Sequence, residues 1–137
     1  MFKKILMPVD LAHLEKLEKA LSCGTELAKT FDAEIVYAGV TTALPGALSH
    51  TPAEYAEKLK AFAQEQSTAS GVRCSSVSQI SHDVSIDVDN ALLKSVEETG
   101  ADLVVMASHV PGIVDYVWPS HGGRLASHAK ISVMLVR

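Results

Sequence analysis

The runs Ile5-Leu6-Met7-Pro8-Val9 and Leu103-Val104-Val105-Met106-Ala107 carry no polar side chain at any position. A strand with one solvated face alternates apolar and polar residues, so an unbroken apolar run of strand length has to be covered on both faces. Strands of that kind belong to parallel sheets, whose crossover connections lay helices against either side. These two segments, extended to Lys3–Val9 and Ala101–Ala107, are therefore expected as central strands of one parallel sheet.

The intervening sequence supplies the crossovers. From His13 to Thr30, Leu14, Leu17, Ala20, Leu21, Leu27 and Ala28 recur at helical spacing, with Glu15, Lys16, Glu18 and Lys19 on the opposite face. Ala33–Val40 is a second short strand through Ile35, Val36, Tyr37 and Val40, and Thr41–Thr51, with Pro45 and Gly46, reads as a loop. Thr51 suits an N-cap and Pro52 a first helical position; Tyr55, Leu59, Phe62 and Ala63 then form the inner stripe of a second helix ended by Gly71. Val72–Ser81 alternates weakly, as an edge strand does. Asp87–Thr99 gives a third helix through Ala91, Leu92 and Val96, closed by Gly100. Beyond a loop from Ser108 to Pro119, Ser120 caps a short helix reaching about Ala129, and Ser132–Val136 is a last strand. Regular β-α alternation with right-handed crossovers predicts an open α/β sheet with helices on both faces, and ligands of such sheets bind beyond the strand carboxyl ends where the strand order reverses.

Length and charge narrow the partners. A chain of 137 residues fits a single domain. Hydrophobic residues at 47% and charged ones at 20% are ordinary globular usage, and the net charge of -4 offers no field for a phosphate backbone, so nucleic acid is not expected as a partner. No stretch is long and apolar enough to span a bilayer, and the first apolar run is too brief for a secretory signal. Cys23 and Cys74 stand isolated, which predicts reduced, buried thiols and a cytoplasmic setting.

Few residues carry chemistry. Asp10, at the end of the first strand, can accept hydrogen bonds from a ribose or can bond the local backbone amides of a helix entry. Ser120 opens a helix whose first turn holds Gly122 and Gly123; the uncovered N–H groups there can hold a phosphate, or the small residues can serve close packing. His109, His121 and His128 have no carboxylate or thiolate at metal spacing, so no metal is expected from protein ligands. His109 can bond a phosphate or its own loop. No nucleophile elbow, Walker loop or dinucleotide fingerprint is present, and no catalytic residue is assigned. Trp118 is expected to pack its loop onto the domain.

Taken together, Ile5-Leu6-Met7-Pro8-Val9-Asp10, the segment Ala101-Asp102-Leu103-Val104-Val105-Met106-Ala107-Ser108-His109, and Ser127-His128-Ala129 ahead of Ser132-Val133-Met134-Leu135-Val136 resemble the universal stress protein family over essentially the whole chain. The resemblance implies a five-stranded sheet of order 3-2-1-4-5, frequent dimerisation, and in many members ATP bound across strands one and four. Members that bind ATP carry a G-x-x-G pair followed, after a spacer, by Gly and then Ser or Thr. Here Ala107 and Val110 replace the first pair and Pro119 precedes Ser120; an alternative register through Gly112, Gly122 and Gly123 leaves His109 at the leading position. The phosphate loop is degraded, since Pro119 offers no N–H and Val110 adds bulk.

The resemblance thus implies a cytosolic stress-response protein that binds or senses an adenine nucleotide (ATP, ADP or AMP), with slow ATP hydrolysis as the most it would catalyse. Asp10 would meet the ribose, Val9 and Val40 would border the base, and Ala107, Ser108, His109, Ser120, His121 and Gly122 would surround the phosphates, with Pro8 and Met106 also among the nucleotide-binding residues. The alternative is an interaction module that has lost nucleotide binding and acts through dimerisation. In either case a homodimer is expected through Val133, Met134, Leu135 and Val136 at the sheet edge.

Overall fold

A computed structural model describes residues 1–82, 84–108 and 121–137, with only the backbone described at 84–86 and 121–122. Strands β1 (Lys4–Pro8), β2 (Glu34–Thr42), β3 (Cys74–Ser81), β4 (Leu103–Ala107) and β5 (Ser132–Val136) alternate with helices α1 (Glu18–Phe31), α2 (Pro52–Ser70), α3 (Val84–Thr99) and α4 (His121–His128). The strands form one sheet in the order β3-β2-β1-β4-β5, and every pairing is parallel. The expected fold is therefore the observed one.

Successive residues of the apolar runs point to opposite faces, and both faces are cores. Ile5, Met7 and Val105 enter one with α1 and α2, alongside Leu17, Leu59 and Phe62. Leu6, Val104 and Met106 enter the other with Leu92 of α3 and Leu125 of α4. All six of these strand residues are at most 1% exposed, which explains why neither run tolerates a polar position. On the first face α1 lies very close to β1: a Cβ at Gly24 would fall 2.4 Å from Met7 Sδ.

Element boundaries follow local chemistry. Thr51 caps α2 by accepting from Glu54 N at 3.1 Å, Pro52 stands in the first turn, and Gly71 ends the helix at φ 75°. Gly100 closes α3 at φ 68°, although α3 begins at Val84 rather than Asp87. The first crossover differs more. A helix running from His13 was expected; instead a 3-10 turn spans Leu14–Lys16, and α1 starts only at Glu18. The i→i+3 bonds from Lys16 N to His13 O (3.1 Å) and from Leu17 N to Leu14 O (2.9 Å) tighten this stretch, and Leu17 is buried at the junction. β2 runs on to Thr42 because β3 pairs with it as far as Ser81. Cys23 and Cys74 are both free, but each is half-buried rather than buried.

The two ends of the central strands are held differently. At the amino end, Asp102 accepts from Lys3 N at 2.9 Å and Lys4 N at 3.1 Å, while its own N–H donates to Lys4 O at 3.0 Å. Lys4 Nζ also bonds Thr99 O at 2.9 Å and pairs with Glu34 at 2.8 Å. Toward the carboxyl end the β1–β4 ladder stops after Ile5↔Leu103 and Leu6↔Val104, and Pro8 has no N–H with which to extend it. By contrast β1–β2 pairing continues to Pro8↔Ala38, and Val9 N adds a bond to Ala38 O at 2.8 Å.

Candidate functional site

The end of β1 runs straight into a tight turn built around Asp10. Its carbonyl accepts from His13 N at 3.0 Å, its Oδ1 accepts from Ala12 N at 3.0 Å, and its Oδ2 lies 2.8 Å from His13 Nδ1. A carboxylate can only accept, so the ring nitrogen facing it donates. Asp10 does bond a local amide, as one of its two sequence readings required. Its side chain nevertheless stays 26% exposed, beside the reversal of strand order. The carboxylate is thus held by two bonds and part-exposed at once.

Tyr55 reaches this edge from α2. Its ring lies over Gly39 of β2, where an added Cβ would come within 2.1 Å of the hydroxyl oxygen. Burial first, and the negative charge of Asp10 second, push the phenol above its usual range. Sequence periodicity assigned Tyr55 to the inner stripe of the second helix, and at 4% exposure it is there. The relation of its hydroxyl to Asp10 went unread; the available signal was a glycine within an otherwise apolar strand. His13 was likewise missed, and its signal is the spacing of a carboxylate and an imidazole three positions apart, directly after a strand.

The other expected site residues fall into three groups. Asp10, Val40 and Ser108 are half-buried at or near the carboxyl ends of β1, β2 and β4. Pro8, Val9, Met106 and Ala107 stand at the same ends but are buried; Val9 packs in the first core, and Val40 packs against the second, across the sheet. Ser108 N donates to Val136 O at 2.8 Å. His109, Val110, Gly112, Trp118, Pro119 and Ser120 lie outside the described residues, as do the side chains at His121 and Gly122, and most of the expected phosphate loop, in either register, falls there. In α4, His128 Nδ1 lies 2.8 Å from Arg124 O, and Arg124 Nε is 3.3 Å from the buried carboxylate of Asp89 on α3. Among the described residues no group of three or more His, Cys, Asp or Glu side chains is placed to hold a metal ion, and no helix is long and apolar enough to cross a membrane.

A parallel sheet of order 3-2-1-4-5, covered on both faces, with the β1–β4 ladder ending short of its carboxyl edge, defines a doubly wound α/β protein. Sequence comparison gives the family: the profile of the universal stress protein family matches residues 1–137, and the chain belongs to that family. It is 29% identical to universal stress protein G of Shigella flexneri over 146 residues, covering 100% of both chains. Among solved structures, the universal stress protein from Archaeoglobus fulgidus in complex with dAMP superposes with a TM-score of 0.69 at 14% identity, over 98% of each chain. A universal stress protein in complex with cAMP gives a TM-score of 0.69 at 15% identity, over 99% of this chain and 97% of the other.

Proposed function

We propose that the chain binds an adenine nucleotide at the carboxyl edge of β1, β2 and β4, as a cytoplasmic stress-response protein that senses or sequesters the ligand and has no catalytic residue of its own. The observation that carries this reading is the fixed, part-exposed Asp10 carboxylate at the reversal of strand order. In this reading Asp10 accepts from the ribose, and Val40 borders the base. Pro8, Val9, Met106 and Ala107, being buried, contribute backbone and shape, while Ser108, His109, Ser120, His121 and Gly122 meet the phosphates. The complexes of structural neighbours with dAMP and cAMP support an adenine nucleotide as the ligand class. ATP is one member of that class, and Pro119 and Val110 argue that its terminal phosphates add little.

Calorimetry with AMP, ADP and ATP tests both parts. All three should bind within about tenfold of one another, a spread of roughly 1.4 kcal/mol, and Asp10→Ala should weaken each by about tenfold or more. Binding of ATP a hundredfold tighter than AMP would mean that the loop still cradles phosphates. A second reading has its own support: Met134 and Leu135 are 40% and 42% exposed on the edge strand β5, a surface suited to pairing with a second copy. If no nucleotide binds at millimolar concentration, an interaction module working through such a dimer becomes the better account.

A further inference from the structure

The turn after β1 contains one contact more than its geometry needs. The bond from His13 N to Asp10 O at 3.0 Å closes the turn, and the bond from Ala12 N to Asp10 Oδ1 at 3.0 Å caps it in the manner of an Asx-turn. Neither involves a side chain at position 13. The imidazole of His13 nonetheless takes the second carboxylate oxygen, at 2.8 Å, with both side chains part-exposed at 30% and 26%. A carboxylate offers about four lone-pair sites, so two remain for a ligand after the amide and the ring are served. A ring that immobilises an acceptor before binding removes an ordering cost that the ligand would otherwise bear.

We propose that His13 is a positioning residue of the nucleoside pocket: through Nδ1 it holds the Asp10 carboxylate so that its remaining lone pairs read the ribose hydroxyls, and it thereby sets the preference for ribosides over sugars lacking those hydroxyls. The inference rests on the nucleotide-binding reading above and assigns it a specificity-determining pair. Tyr55 adds to the setting of the pair: its hydroxyl is packed on Gly39, and its phenol senses the Asp10 charge.

The test uses the full chain, adenosine and 2′,3′-dideoxyadenosine, with His13→Leu and His13→Asn as variants. Hydrogen exchange at the Ala12 amide is followed in ligand-free protein. The wild type should prefer adenosine by about tenfold or more, the range of hydrogen bonds to a charged acceptor. His13→Leu should reduce that preference to about threefold or less and lower Ala12 protection; His13→Asn, whose amide nitrogen can stand near the position of Nδ1, should restore most of both. A packing role alone would shift the melting temperature without changing the ratio of the two affinities. An unchanged ratio in His13→Leu overturns the proposal, as does failure of His13→Asn to recover it. If the wild type binds neither nucleoside, nor AMP, at millimolar concentration, the nucleotide reading fails by itself. The Ala12 amide then decides the positioning role: lowered protection in His13→Leu that returns in His13→Asn supports it, and unaltered protection overturns it.

Discussion

Gly39 sits beneath the Tyr55 ring with no space for a methyl group, since a Cβ there would lie 2.1 Å from the hydroxyl oxygen and 2.9 Å from Cζ. Gly39→Ala should therefore destabilise the protein by about 1–3 kcal/mol in urea denaturation. Combining it with Tyr55→Phe should recover part of that loss, because the shortest contact disappears. At Cys74, burial pushes the thiol up while the Tyr37 hydroxyl works in the opposite direction. Its alkylation near neutral pH should accordingly be slower in the native protein than after denaturation, when both Cys23 and Cys74 should titrate as free thiols. Asp10 was legible in the sequence because it follows an apolar strand whose other side chains there cannot accept hydrogen bonds. The approach of Tyr55 was not, since it arises from two elements packing together rather than from any spacing along the chain.

Helix α2 is the element whose ends are best specified by its own residues. Thr51 accepts from Glu54 N, and Glu54 Oε2 accepts from His50 N at 3.0 Å, so the two side chains cap the start reciprocally. Thr51→Ala should cost about 1 kcal/mol in thermal or chemical denaturation. The bond from the His50 amide is the main reason that the Glu54 carboxyl lies below its ordinary value of 4.5. A depressed carboxylate stabilises the folded state above its unfolded value, and that contribution fades as pH falls through the lowered folded value. A Glu54→Gln variant should thus show a flatter loss of stability on acidification below pH 4.5 than the wild type does. Thr51, Pro52 and Gly71 made the limits of α2 readable because capping is local chemistry. The onset of α1 was not readable: the leucine periodicity through Leu14 and Leu17 continues into the 3-10 turn, and only the bonds around Asp10 and His13 interrupt the helix.

Across the molecule, the apolar runs made the parallel sheet legible, and the family resemblance supplied its strand order. The site was legible only where a strand end carries a polar group. The sheet has two edges of unlike character: β3 shows serine at several positions with Ile80 at 60% exposure, whereas β5 exposes Met134 and Leu135, one toward each face. If β5 is a dimer seam, Leu135→Lys should raise the monomer fraction in sedimentation velocity while circular dichroism remains native. A folded wild-type monomer at high concentration would exclude that seam. Asp102 governs the opposite property, since its carboxylate joins the amino ends of β1 and β4; Asp102→Ala should lose about 1–2 kcal/mol. The same pair of strands parts company two ladder steps further on. They are thus built like tweezers, riveted to each other at one end and, at the tips, held only by their outer neighbours β2 and β5. Anything seated between the tips can spread them without loosening the rivet, so hydrogen exchange on ligand binding should change around Asp10 and Ser108 and leave the Lys3, Lys4 and Asp102 amides as they were.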